Sequence, residues 1–147
     1  IVPVRGNIDT RVSLAVDGSI DAVVLAVAGL DRTGLSGHIA HRFTSAEMVP
    51  APAQGVLTIE ARPGTFASEV ASHIEDEGTR TAVDAERALL EITGAGCRSA
   101  LGAHATIAGQ LLTMDAFVSD ERGSRRTTVQ GDDPREVAET ARKELGL

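Results

Sequence analysis

The sequence predicts two architectures in one chain: part of a doubly wound α/β sheet, followed by a small α+β unit with a three-stranded antiparallel sheet and helices. Three observations carry this. Ile20 to Ala28 is an apolar run broken only by Asp21, as in a strand covered on both faces. Leu112, Met114, Ala116 and Val118 alternate with Thr113 and Asp115, the period of a half-buried strand. Helical spacing flanks that alternation, with Ala85, Ala88, Leu89 and Ile92 before it and Val137, Ala138, Ala141 and Leu145 after it.

Taken in order, Ile1-Val2-Pro3-Val4 reads as a strand. Asp9 or Thr10 can cap a helix reaching about Val16, since Val12, Ala15 and Val16 share a face. The strand Ile20 to Ala28 follows, and Ala28 to Leu35 turns away from its end into a further helix. Strand, helix, strand, helix is too little for a whole sheet, so residues 1–50 predict only a part of one. Val49-Pro50-Ala51-Pro52-Ala53-Gln54-Gly55 reads as a stiff connector or hinge, because each proline fixes its own φ and biases its predecessor toward extended backbone.

Beyond the connector, Val56 to Ala61 reads as a strand, Arg62-Pro63-Gly64 as a turn, and about Thr65 to Glu75 as a helix. Glu75-Asp76-Glu77 reads as a solvated run. Thr81 can cap the next helix, with Asp84 three residues on, and Gly94 suits the left-handed position that ends it. Leu101 to Ile107, Gln110 to Val118 and Gly123 to Gln130 form a meander. Asp133-Pro134-Arg135-Glu136 then opens the last helix with Asp as cap, Pro at the first helical position and Glu at the third. Residues 79–147 therefore predict a unit able to fold alone, whereas residues 1–49 lack the strands their sheet needs, and unpaired edges invite association.

Composition narrows the function. A formal charge of −7 over 147 residues, with three Phe and no Trp or Tyr, argues against nucleic acid as a partner. No apolar run of about eighteen residues and no signal-peptide pattern is present, which predicts no membrane association. A single cysteine excludes an internal disulfide framework and favours the cytoplasm. Lys143 is the only lysine, so an anion site here must use guanidinium groups, which grip carboxylates in bidentate fashion and stay charged.

Two features could carry chemistry. Cys97 sits in Gly94-Ala95-Gly96-Cys97-Arg98, just past a helix C-terminus, where the dipole does not favour a thiolate. The residues alone leave two readings open: an inert buried thiol, or a reachable covalent anchor. Arg5, Arg11 and Arg32 flank strand ends that a parallel sheet would bring to one carboxyl edge, where ligands collect. There they either bind a ligand with several carboxylates or pair with neighbouring acids. His38-x-x-His41 lacks the further ligands of a zinc site, and His73 and His104 stand singly. No serine has a nucleophile-elbow context, and no Walker or Rossmann glycine motif occurs.

Val4-Arg5-Gly6-Asn7-Ile8-Asp9-Thr10-Arg11, Asp21 to Leu30, Pro50-Ala51-Pro52-Ala53-Gln54-Gly55, Ala85-Glu86-Arg87-Ala88-Leu89-Leu90 and Gly96-Cys97 together resemble the porphobilinogen deaminase (hydroxymethylbilane synthase) family, in the family's order. The resemblance implies a transferase that joins four porphobilinogen molecules into hydroxymethylbilane with release of ammonia, in tetrapyrrole and heme synthesis. It implies a dipyrromethane cofactor attached through Cys97. Arg5, Arg11, Arg32, Gly29 and Gly96 are then cofactor-binding, and Arg5, Arg11, Arg32 and Gln54 substrate-binding. It also implies three domains, with 1–50 the end of a periplasmic-binding-protein-like second domain, 51–78 a crossover belonging to the first, and 79–147 the third. Ala95, Arg98-Ser99-Ala100 and Asp31 depart from the usual family residues. The family's general-acid aspartate falls in an amino-terminal half not represented here. The expectation is therefore a chain inactive alone, needing that half or self-associating; the rival is a noncatalytic anion-binding or interaction module.

Overall fold

The computed structural model describes residues 1–96 and 99–147 and divides the chain into two units, Ile1–Phe43 and Thr44–Leu147.

In the first unit, α1 spans Ile8–Val16 and α2 spans Val27–Arg32, followed by a single 3₁₀ turn at Ser36–His38. The cap of α1 is Asn7 rather than Asp9 or Thr10: its backbone is extended, and its side-chain oxygen accepts from the Thr10 N–H at 2.9 Å. The two helices touch where α2 has no side chain. A Cβ on Gly29 would lie 2.6 Å from Ile8 Cδ1, so glycine admits the close approach.

The expected strands of this unit do not form a ladder. Ile1 to Val4 makes no strand, and Ile20 to Ala28 is cut short because Val27 already opens α2. Neither is Val56 to Ala61, in the second unit, part of a ladder. Apolar, β-branched composition makes a segment suited to a sheet, but a strand exists only where a neighbour takes up its N–H and C=O groups. Among the described residues no strand lies alongside these three segments; the bonds that Ile20 and Ala26 make go to Leu14 and to the first turn of α2.

The second unit carries the sheet that the alternation predicts. Strands β1 (Ala100–Ala108), β2 (Leu111–Asp120) and β3 (Gly123–Gly131) pair antiparallel in the order β1-β2-β3, joined by tight turns at 109–110 and 121–122. Leu112, Met114, Ala116 and Val118 of the central strand all point inward and are buried, while Thr113, Asp115 and Phe117 on the other face are only half-buried.

Three helices belong to this unit: α3 (Phe66–Ser72), α4 (Glu77–Thr93) and α5 (Pro134–Glu144). Helices α4 and α5 pack on each other and cover one face of the sheet with Ala85, Ala88, Leu89, Val137, Ala138, Ala141 and Leu145. So many alanines let the helices approach the sheet closely, and Gly131 serves the same end, since a Cβ there would meet Val137 Cγ2 at 2.7 Å. Asp133 caps α5 as expected, accepting from the N–H groups of Arg135 and Glu136 at 2.9 Å each. The start of α4 is corrected: Asp76, not Thr81, caps it through the Thr79 N–H at 2.7 Å, and Glu75-Asp76-Glu77, exposed as the run suggests, leads into the helix. Thr81 lies inside the helix, its hydroxyl bonded to the Glu77 carbonyl. Thr65 caps α3 in a reciprocal box with Ser68, and that helix stops at Ser72, short of Glu75.

Candidate functional site

The loop after α4 begins as its glycines require. Gly94 takes φ 61°, the left-handed region that glycine enters without a Cβ penalty. Gly96 and Ser99 then bond reciprocally: the Gly96 N–H donates to Ser99 Oγ at 3.0 Å, and the Ser99 N–H donates to the Gly96 carbonyl at 2.8 Å. Ser99 leads directly into β1. Cys97, expected as covalent anchor, lies outside the described residues, as does Arg98.

In the first unit the candidate arginines differ in how they are held. Arg11 is half-buried, and its Nε donates to the Gly6 carbonyl at 2.8 Å, which braces the guanidinium against the turn entering α1. Gly6 has φ 115°, and a Cβ there would press on Thr10 at 3.1 Å, so the turn that braces Arg11 depends on glycine. Arg5 precedes this turn and is exposed. Arg32 occupies the last turn of α2, where positive charge suits the helix dipole, and is exposed.

Asp31, beside Arg32, has its own partners. Its carboxylate accepts from the Ser36 hydroxyl at 2.6 Å and lies 3.4 Å from Arg42, and these hold it ionised below the usual carboxylate range, the Ser36 bond most of all. The acid is therefore engaged with Ser36 and Arg42. Gly29 is buried under Ile8. Arg5, Arg11, Arg32 and Gly29 thus belong to one unit, and the α1–α2 contact joins the segments carrying them. Gln54 and Gly96 belong to the other.

Gln54 is exposed at the end of the proline connector, and the connector is not free. Pro50 C=O accepts from the Ala103 N–H of β1 at 2.9 Å. Ala53, the only described non-glycine residue with positive φ, at 61°, donates its N–H to Glu86 Oε2 of α4 at 2.6 Å. Arg126 of β3 donates to the Ser45 carbonyl at 3.0 Å and to the Ala46 carbonyl, and is itself held by Asp115 at 3.2 Å. Sequence reasoning missed both Glu86 and Arg126. Glu86 did leave a signal, a charged residue on the same helical face as Ala82 and Leu89.

Among the described residues, no group of three or more His, Cys, Asp or Glu is placed to hold a metal. No helix among the described residues is long and apolar enough to cross a membrane. An open groove of about 560 Å³ runs between residues 55–61, α3 and the first half of α4, lined by Leu57, Ile59, Ser72, Arg80 and Arg87 among others, and none of the sequence-predicted site residues borders it.

Comparison with known proteins gives a consistent picture. Residues 1–70 match a family model described as the porphobilinogen deaminase dipyrromethane cofactor binding domain, and residues 80–146 match the porphobilinogen deaminase C-terminal domain. The chain is 41% identical over 144 residues to a porphobilinogen deaminase of Deinococcus deserti, covering 95% of this chain and 46% of the relative. It is 40% identical over 154 residues to that of Nocardia farcinica, covering 97% and 44%, and 42% identical over 125 residues to that of Corynebacterium diphtheriae, covering 84% and 42%. The chain thus spans a little under half the length of these relatives. Both matched domains, in the order in which they occur here, make the chain a member of the porphobilinogen deaminase family.

Proposed function

We propose that this chain is the cofactor-bearing, carboxy-terminal half of a hydroxymethylbilane synthase, which condenses four porphobilinogen molecules head to tail with release of ammonia. The observation that carries the reading is the double family match, cofactor-binding domain first and C-terminal domain second, across nearly the whole chain. In this reading Cys97 holds a dipyrromethane primer through a thioether. Arg5, Arg11 and Arg32 bind its acetate and propionate groups and those of incoming substrate, with Gly29 and Gly96 lining the cofactor and Gln54 contacting substrate.

The residues fit such a group. A pyrrole bearing two carboxylates needs guanidinium forks, and a net acidic chain can supply them only by local placement. Arg11, braced on Gly6, loses less freedom on binding than a free side chain would. Asp31, bonded to Ser36 and Arg42, is drawn away from competing with the ligand for Arg32. A thioether requires a reachable thiol rather than a persistent thiolate, which suits a glycine-flanked position after a helix C-terminus. Bound, the dipyrromethane supplies the nucleophilic pyrrole end from which the chain grows.

The three-part organisation belongs to the same proposal: 1–50 from a periplasmic-binding-protein-like domain, 51–78 returning to another, and 79–147 forming the third. The extended apolar segments without strand partners support it, since they read as strands of sheets completed by other chain. The protein would act in the cytoplasm, with the amino-terminal half of the family as partner, or with self-association in its absence. Because the family's general-acid aspartate falls in that half, the chain alone is expected to be inactive. The test is an assay of hydroxymethylbilane formation with and without an added amino-terminal half. Formation only in the mixture is expected, and steady turnover by the chain alone would contradict the proposal.

A further inference from the structure

Glu86 is the one buried charged side chain among the described residues, 7% exposed, on the core-facing side of α4. A carboxylate is retained in such a place only when its oxygens are satisfied. Both are, and by two separate segments: Oε1 accepts from the Ala105 N–H of β1 at 2.8 Å, and Oε2 from the Ala53 N–H of the connector at 2.6 Å. His104 Nδ1 stands 4.0 Å from Oε1, beyond hydrogen-bonding distance.

The strand it reaches is an edge. β1 pairs only with β2, so the N–H groups of Ala103 and Ala105 point outward and need acceptors. Pro50 C=O takes the first and Glu86 the second. Just before them lies Gly102, where a Cβ would come within 2.8 Å of the Val49 carbonyl. Val49 to Ala53 is therefore laid along the β1 edge, and its last residue is held at a left-handed φ that alanine does not choose alone. Backbone held off its preference by surrounding structure is a pointer toward function. The residue it delivers is Gln54, exposed and next in the chain.

We propose that Glu86 is a positioning residue for Gln54: its carboxylate locks the Ala53 turn onto the edge of β1, so that the Gln54 amide meets an acidic pyrrole ligand in one fixed direction. This rests on the reading of Gln54 as a substrate contact. Glu86 touches no ligand itself. Its value lies in preorganisation, since a turn fixed beforehand need not be ordered on binding.

The test uses the full chain labelled with ¹⁵N. In the unsubstituted chain the Ala53 and Ala105 amides are protected from exchange while that of Gly55 is not, and Gln54, whose N–H donates to the Ala51 carbonyl at 3.2 Å, shares the protection of the turn; an unprotected Ala53 would overturn the lock without any variant. Glu86→Gln keeps the shape but turns an NH₂ toward one of the two N–H donors. Exchange at Ala53, at Ala105 or at both then rises by about tenfold or more, with Met114 and Ala141 unchanged. Where that variant loses the core signals, Glu86→Asp, one methylene too short to span both donors, replaces it.

Porphobilinogen is then titrated in. Glu86→Gln is expected to weaken binding about fivefold or more in the native background and less than about twofold in a Gln54→Ala background, the coupling of residues that act together. Equal losses in both backgrounds, or no loss, would overturn the positioning role. Wild-type affinity in Gln54→Ala alone, or no saturable shift in any chain, removes Gln54 as a ligand contact and the positioning role with it, while exchange still decides the lock separately.

Discussion

Residues 77–147 and residues 1–76 draw on the same apolar alphabet and end in opposite states. All buried apolar side chains except Val12 and Leu30 lie from Ala82 onward, whereas all large exposed ones except Leu111 lie before residue 77. Leu89 is completely covered; Leu57 is 88% exposed and Phe66 79%. The difference is pairing. In the later region each strand has a neighbour and two helices close one face, so every inward side chain finds a surface. In the earlier region short helices and unpaired extended segments offer no second layer, and a layer cannot bury itself. Hydrophobic composition supplies the driving force, but only completed ladders and layers collect it.

That contrast can be broken by substitution. Leu89→Ala empties a fully packed position and is expected to cost about 3 kcal/mol, read as a lowered urea midpoint at unchanged slope. A cost below about 1 kcal/mol would mean that the later region is not the closed core described. Asp133→Ala removes the cap that holds two N–H groups of α5 and should cost about 1 kcal/mol in the same titration. The same change tests whether α5 is needed to cover the sheet, since helix and sheet signals must then melt together.

Asp120 sharpens the electrostatic side. Arg125 foremost, then the Arg122 backbone, hold its carboxyl well below the usual carboxylate range. Its folded value is depressed, so its contribution is fully present above the ordinary pKa of about 3.9 and fades only as pH falls below that, through the lower folded value. Carbon-detected titration should find Asp120 still ionised at pH 3, and an ordinary midpoint would deny the pairing. Smallest of all, Leu57→Ser should change stability by no more than about 0.5 kcal/mol, because nothing packs on Leu57 to be lost. A large loss would show that the earlier region is closed after all.

What the sequence made legible was what short-range chemistry decides. The meander, the Gly94 stop and the Asp133-Pro134 start all rest on residues within a few positions of one another. Asp76 was also local and was hidden by its neighbours, since an acidic triplet reads as solvated surface until Thr79 is seen to supply the N–H. The segments at 20–28 and 56–61 show the limit: their composition marks strands, but whether a ladder forms depends on chain far away in sequence. Glu86 shows it again. A carboxylate on an apolar helical face announces a partner, yet only the fold brings Ala53 and Ala105 to it from opposite sides of the sequence. In the candidate site, the arginines and Gln54 stood out by type and by family likeness, while the strap of Arg126 across Ser45 and Ala46 is a tertiary fact; the brace of Gly6 on Arg11 is local, but residue types alone do not show which carbonyl a guanidinium will meet.

The central claim is that Cys97 carries the pyrrole primer. Intact-mass spectrometry of the chain, assembled with an amino-terminal half of the family and supplied with porphobilinogen, tests it most directly. The account predicts a covalent excess of two pyrrole units that disappears in Cys97→Ser. An unmodified thiol in correctly assembled protein, or an adduct that survives the serine substitution, would contradict it and leave a noncatalytic member of the family.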